Sequence, residues 1–228
     1  MFFRFFFSIF GGFAAVACLA QPAGLLYDPE PPPNSAYLRV IQTAQAGLVS
    51  VWVDGKKRIS ALQGNQVSAY LVVPEGGHEL QLRAIPNHTQ PVTARVQVSQ
   101  AKSYTVAFLP DAPTHMPVVF EDQAVKNKLK ATLYVYQLAY PDTPVDITVA
   151  SSKVVIFRGL RYPTSQSLQV NPIQVKLLAV TPDAMTAPLE TSLDLAQSTA
   201  TSLFLTRDKH SNPVFFSVQN TVERFTGK

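Results

Sequence analysis

The sequence predicts an all-β protein: two tandem antiparallel β-sandwiches, Ig-like or jelly-roll-like, behind an N-terminal export segment. Three observations predict it. Short apolar stretches alternate with polar residues at a period of two, the spacing that puts strand side chains on one face. No stretch sustains an apolar period of 3.6, so no helix longer than a turn is expected. The pattern of residues 37–109 is also written a second time over 132–205. Leu38-Arg39-Val40-Ile41-Gln42 returns as Leu133-Tyr134-Val135-Tyr136-Gln137, and Val51-Trp52-Val53 as Ile147-Thr148-Val149. Leu80-Gln81-Leu82-Arg83-Ala84 aligns with Val175-Lys176-Leu177-Leu178-Ala179, Val96-Gln97-Val98 with Leu193-Asp194-Leu195, and Phe108-Leu109 with Phe204-Leu205. The offset stays between 95 and 97, which favours duplication of one small β-domain. The alternative is that strands of similar spacing align because their sequences carry little information.

The elements follow in chain order. Residues 1–20 read as a signal peptide: Arg4 is the basic end, 5–16 the apolar stretch, and Cys18-Leu19-Ala20 a small-x-small cleavage site before Gln21. The apolar run falls short of the ~20 residues a spanning helix needs. A retained anchor, or lipidation of Cys18 at the box Ala15-Val16-Ala17-Cys18, are the alternatives. Residues 21–35 form a proline-rich leader that favours polyproline II, with Leu25-Leu26-Tyr27 placed to dock on the first module.

The first sandwich is expected over 36–109. Its strands fall at 36–41, 48–54, 67–73, 78–85, 92–98 and 104–109, with an Asp54-Gly55 turn. Pro74-Glu75-Gly76-Gly77 reads as a hairpin. Residues 110–127 are the expected linker. The second sandwich covers 128–219, with strands at 131–138, 145–150, 153–158, 167–170, 174–181, 189–195, 201–206 and 213–219. Residues 220–228 read as a mobile tail. Eighteen prolines against ten glycines fall between the strands, where a missing donor does least harm.

Composition narrows the chemistry. A hydrophobic content of 46% with 15% charge fits a globular chain. Each module alone, at this size, buries only ~60% of its unfolded surface and is marginal. Cleavage after Ala20 removes the single cysteine, leaving no disulfide, thiolate nucleophile or cysteine metal ligand. It also removes Arg4, lowering the formal charge from +4 to +3. That mild excess assists an acidic partner or glycan without specifying one. The basic residues are scattered, so nucleic acid is not an expected partner.

No Gly-x-Ser-x-Gly elbow and no phosphate-binding loop occurs. Four histidines, His78, His88, His115 and His210, form no metal-spaced pair, and His78 and His88 read as exposed turn residues. Asp208-Lys209-His210 is the one acid–histidine arrangement, and it reads as a solvated hairpin rather than a catalytic pair. No catalytic residue, metal or cofactor is therefore expected. Binding signal lies in outward-facing aromatics. With Leu133 and Val135 inward, Tyr134 and Tyr136 face out, and Trp52 opposes Val49, Val51 and Val53. Such residues anchor partners or stack on sugars, unless the other module covers them. Lys126, Lys128 and Lys130 alternate as a cationic edge, a device that also blocks sheet-to-sheet aggregation.

Several segments resemble one known family. They are Gly24-Leu25-Leu26-Tyr27-Asp28-Pro29, Ser35-Ala36-Tyr37-Leu38-Arg39-Val40, Val51-Trp52-Val53-Asp54-Gly55, Phe120, Lys126-Asn127-Lys128-Leu129-Lys130 and Val170-Asn171-Pro172-Ile173-Gln174-Val175. In order and type they resemble AlgF, the periplasmic accessory family of alginate O-acetylation, and its relatives in other exopolysaccharide systems. The resemblance implies a periplasmic two-module β protein without catalytic residues, required for acetylation of a secreted polysaccharide. It implies periplasmic acetyltransferase proteins and a membrane-bound O-acyltransferase as partners, and polysaccharide as a further contact. Tyr27, Asp28 and Lys128 join Trp52, Tyr134 and Tyr136 as expected binding residues. The proline-dense leader and the connection at 162–168 depart from the alginate pattern, leaving alginate and acetylated cellulose both open as the polymer.

Overall fold

Alternation builds the first module. In β2 (Val49–Val53) the valines are buried while Trp52 faces outward, and the Asp54-Gly55 turn, both residues at positive φ (50° and 74°), leads into β3 (Lys56–Leu62). The computed structural model describes residues 30–43, 47–86, 90–109, 117–182 and 187–226. Tyr27, Asp28, Cys18, His88 and His115 lie outside the described residues. Around β2, one sheet has the order β3-β2-β6-β7, with β6 Gly76–Ala84 and β7 Val92–Val98. The facing sheet is β4-β1-β8-β9, where β1 is Ser35–Gln42, β4 Gln66–Val67, β8 Ser103–Phe108 and β9 Val118–Asp122; β5 (Leu71–Pro74) also pairs with β1.

The second module repeats this plan. Its sheets are β13-β10-β16-β17 and β12-β11-β14-β15. The strands are β10 Ala131–Gln137, β11 Val145–Val149, β12 Val155–Leu160, β13 Thr164–Val170, β14 Ile173–Val180, β15 Leu189–Leu195, β16 Ala200–Arg207 and β17 Pro213–Gln219. Every regular element described is a strand. Pairing is antiparallel except β1 with β8 and β10 with β16. Between the two strands of each parallel pair the chain crosses to the other sheet and returns, which restores its direction.

The duplication reaches single hydrogen bonds. Ala101 N–H donates to Ser35 O at 2.8 Å, and Ser198 N–H to Lys130 O at 3.1 Å. Ala101 and Ser198 share a positive φ, 59° and 61°. Buried Gln42 and Gln137 each donate a side-chain N–H to a carbonyl of the following loop, Gly47 O and Tyr140 O. The alignment read from sequence needs two adjustments. β6 and β14 correspond at an offset of 97, since Val53 pairs with Leu80 and Val149 with Leu177. Phe108 corresponds to Leu205, because Gln42 pairs with the first and Gln137 with the second.

Three apolar seams hold four layers together. One lies inside each sandwich, around Leu38, Val51 and Leu80 and around Leu133, Ile147 and Leu177. The third lies between the modules, where the sheet of β1 and β8 meets the sheet of β10 and β16 through Ile41, Leu109, Phe120, Tyr136 and Phe204.

Other expectations change. The stretch 110–127 carries β9, which pairs with β8 and completes the inner sheet of the first module. β3 was not foreseen, because its exposed lysines and arginine mask the edge-strand pattern. The expected strand 67–73 is broken between β4 and β5. Pro74–Gly77 is no hairpin, since β5 and β6 belong to different sheets. The connection at 162–168 holds most of β13.

The C-terminal segment folds back instead of trailing free. Tyr70 N–H donates to Thr221 O and Glu223 N–H to Tyr70 O, each at 2.8 Å, while Glu223 carboxylate accepts from Val72 N–H at 2.7 Å and pairs with Arg58. The break between β4 and β5 leaves edge amides that this segment satisfies. Asn220 Oδ1 accepts from Arg39 Nη1 at 2.8 Å and from Ser202 Oγ at 2.7 Å. Replacing Asn220 by Ala strands both donors, so a loss of about 1–3 kcal/mol is expected in urea unfolding.

Candidate functional site

Strand parity sends Arg39, Thr105 and Asp122 out of the first sandwich and Tyr134, Tyr136 and Ser202 out of the second, and these two faces meet. Arg39 is 1% exposed. Its Nε donates to Thr105 Oγ1 at 2.8 Å, and its Nη2 to Ser202 Oγ at 2.8 Å and Tyr136 OH at 2.9 Å. Its guanidinium carbon lies 4.5 Å from the Tyr70 ring centre. Asp122 balances the charge through intermediaries: its carboxylate accepts from Thr105 Oγ1 at 2.6 Å, Tyr70 OH at 2.8 Å and Tyr136 OH at 2.5 Å. Tyr136 stacks on Phe204 at 4.5 Å, Phe204 on Phe216 at 4.9 Å, and Phe120 meets Tyr136 edge-on at 5.5 Å.

Tyr136, at 0% exposure, and Tyr134, whose hydroxyl donates to Gln123 O, therefore face the other module and its connecting segment rather than solvent. Neither offers a free ring to a sugar. Sequence parity placed both on the outside of their own sandwich, and the other module covers them, the alternative that parity left open. A cleft of about 210 Å³ above the seam is lined by Tyr37, Tyr70, Asp122, Tyr134 and Asn220.

Trp52 lies half-buried on the outer face of β3-β2-β6-β7. Arg83 stacks on its ring at 3.9 Å from the centre, and its Nε1 donates to Ser50 Oγ at 3.1 Å. Lys128 is exposed, in the turn before β10 rather than on a strand, so it guards no sheet edge. Beside it Leu129 is 71% exposed.

His78 is buried, contrary to the turn reading, because Gly76-Gly77 begins β6 and parity turns the imidazole inward. Its Nε2 donates to Pro74 O at 2.8 Å and its Nδ1 lies 2.6 Å from Asp54 Oδ2. Burial opposes the Asp54 charge, but the His78 contact and the Glu79 amide outweigh it and hold that carboxyl below its ordinary value. Asp208 is spent on a turn: its carboxylate accepts from Asn212 N–H at 2.9 Å and His210 N–H at 2.8 Å, which lowers its pKa. The backbone of His210, not its ring, is what Asp208 holds. Among the described residues no group of three or more His, Cys, Asp or Glu could hold a metal.

These features define a duplicated, tandem β-sandwich protein whose modules are joined by a buried guanidinium and an aromatic stack. A sequence model of one family, described as Alginate O-acetyl transferase AlgF, matches residues 8–199. The chain belongs to the AlgF family, and membership implies a role in alginate O-acetylation. Among solved structures, the C-terminal domain of AlgF from P. aeruginosa is similar at 18% identity, covering 41% of this chain and 100% of that one, with a TM-score of 0.34. The crystal structure of CBMbc, of family CBM26, from Eubacterium rectale Amy13K in complex with maltoheptaose is similar at 8% identity over 84% of this chain and 99% of that one, with a TM-score of 0.27. No match to a curated protein was found.

Two outcomes follow from the seam. Arg39→Met leaves Asp122 buried without its cation, and a loss of about 3–5 kcal/mol is expected in chemical unfolding. Tyr136→Phe keeps the stack and removes only the hydroxyl, for about 1–3 kcal/mol. Alkaline titration tests the same burial. Desolvation pushes the Tyr134 phenol up to about 12 from 10.0, and raises Tyr70 and Tyr136 as well. Their contribution is full below the unfolded value near 10 and is lost as pH rises through the folded values. Phenolate absorbance at about pH 10.5 should therefore show fewer ionised tyrosines in the folded protein than in urea.

Proposed function

We propose that this protein is a non-catalytic periplasmic adaptor in the O-acetylation of a secreted exopolysaccharide, alginate or an acetylated cellulose. In this reading it bridges periplasmic acetyltransferase proteins and works alongside a membrane-bound O-acyltransferase. The observation that carries the reading is where the polar and aromatic side chains go. Arg39, Asp122, Tyr136 and Phe204 are consumed in fixing one module to the other. The Asp208–His210 arrangement, the nearest thing to an acid–base pair, is consumed in a turn. What remains for function is surface. A rigid body that binds two proteins raises the effective concentration of each toward the other without touching the acetyl group.

Direct contact with the polysaccharide is the second reading, and geometry weighs against it. Two of its three aromatic platforms, Tyr134 and Tyr136, are buried, and Arg83 covers one face of the third.

A strain lacking the gene should secrete its polymer at normal yield without acetyl esters, measured by NMR of the purified polysaccharide. Normal acetylation in that strain overturns the proposal, as does turnover of a chromogenic acetyl ester by purified protein that His210→Ala abolishes. Recovery in the periplasmic fraction, with a mature N-terminus at Gln21, is the expected localisation.

A further inference from the structure

The internal duplication acts as a control for what the fold requires of an outer sheet. The sheets β3-β2-β6-β7 and β12-β11-β14-β15 share strand order and register, and each buries one face in its own sandwich. Across the other face of the first, Lys57, Trp52 and Gln81 lie in one row. The equivalent row of the second reads Val155, Thr148 and Leu178. The next position pairs Ser50 with Arg83 in the first sheet and Asp146 with Val180 in the second. A third pairs Glu79 with Arg95, against Lys176 with Ser192. The second sheet makes the same ladder without the tryptophan or either arginine, so these residues are not there to hold strands.

Charge divides along the same line. The first face carries Lys57, Arg83 and Arg95 against Glu79, and none of those three cations enters a salt bridge among the described residues. The second face carries Asp146, Glu190 and Asp194 against Arg158 and Lys176, the latter tied to Glu190 at 2.6 Å. On the first face Gln81 props the stack: its Oε1 accepts from Arg83 Nη2 at 2.7 Å, and its Nε2 donates to Glu79 at 2.7 Å. Arg83 is thereby held flat against Trp52. A half-buried tryptophan with a pre-positioned guanidinium is the composition of an interface hot spot.

We propose that this Trp52-centred face of the first module is the docking surface for the acidic face of a protein, one of the acetyl-transfer partners. The proposal rests on the adaptor reading and adds to it which face is used and the charge of what it meets. Shape favours a protein over a glycan. Trp52 and Arg83 stand on β2 and β6, the two central strands of their sheet, so the site is the middle of a sheet face. A sugar would need the ring face of Trp52 that Arg83 already occupies, whereas a tryptophan–arginine pair is itself an anchor for a protein surface.

The test uses the full mature chain, with its single tryptophan replaced biosynthetically by 5-fluorotryptophan so that one ¹⁹F resonance reports Trp52. The probes are the purified soluble acetyl-transfer subunits of the same polysaccharide system, each titrated separately, and an oligouronate. One subunit is expected to shift the resonance, with affinity falling as salt rises. Trp52→Ala should weaken binding on the order of thirtyfold. The double variant Arg83→Glu/Arg95→Glu should weaken it at least about tenfold, since like charges then face each other. Thermal unfolding of both variants serves as the folding control, and the salt dependence of the unaltered protein stands without any variant. Binding that neither variant weakens overturns the docking face while leaving the adaptor reading intact. Failure of every subunit to bind, with normal acetylation in the deletion strain, overturns the adaptor reading itself. A resonance that shifts with oligouronate alone, or a chain that self-associates through this face in sedimentation, also overturns the proposal.

Discussion

A guanidinium removed from water is tolerated only where its donors and its charge are both answered, and Arg39 is answered by both modules at once. Desolvating such an ion costs several kcal/mol even after relaxation. Four hydrogen bonds return part of that, and they divide between the modules: Thr105 on its own side, Tyr136, Ser202 and Asn220 on the other. Thr105 and Ser202 occupy equivalent positions of the repeat, as do Asp122 and Asn220, which lie opposite Ser103 and Ala200. Arg39 thus reaches into two versions of one hole. Only the first holds a carboxylate; the second holds its neutral counterpart. One buried cation needs one anion, and a second aspartate at 220 would leave the seam with excess negative charge.

The two copies have diverged most where they touch. At the position of Arg39 the second module has Tyr134, and at that of Ile41 it has Tyr136. A pair of identical faces would set arginine near arginine, or tyrosine against tyrosine with no charge to solvate. Instead one copy supplies the cation together with the Tyr70 ring, and the other supplies two further aromatic walls, the Tyr136 and Phe204 ring centres lying 5.6 Å and 5.5 Å from the guanidinium carbon. The C-terminal segment then ties the seam from outside, carrying Asn220 to Arg39 and Glu223 to the Val72 amide on the edge strand β5.

Much of this was legible in the sequence, and the failures have specific causes. Period-two patterning located β2, β7 and β15 because each sets one apolar face against a polar one. It missed β3, whose residues face solvent on an edge and carry charge, and β9, whose Val-Val-Phe-Glu-Asp follows a proline-rich stretch that reads as linker. Tyr134 and Tyr136 were assigned to the right face, but a second sheet lying over them leaves no mark within a single strand. His78 was misread because two glycines suggest a turn, whereas here they open a strand and parity buries the ring. The αL positions at Ala101 and Ser198 are invisible to composition, since neither residue is a turn former by type. Trp52 was found for its parity; its guanidinium neighbour thirty-one residues on required the register of β2 against β6.

Burying the inner faces in each other has a geometric consequence. With sheets spaced ~10 Å apart, a four-layer stack sets its two outer faces roughly 30 Å apart. Those faces cannot approach or rotate without breaking the Arg39 cluster. Each module alone would be marginal, and the shared seam adds the burial that neither has by itself. Fusion therefore relieves the outer sheets of any part in joining the modules, and their exposed sides are free to diverge in sequence. That freedom is visible in the contrast between Lys57, Trp52 and Arg83 at one end and Asp146, Glu190 and Asp194 at the other. Selection on folding accounts for the inward-facing valines and leucines of both sheets but not for a tryptophan–arginine stack that only one of them carries. The difference between two copies of one fold, read position by position, separates what a sheet needs from what a surface does.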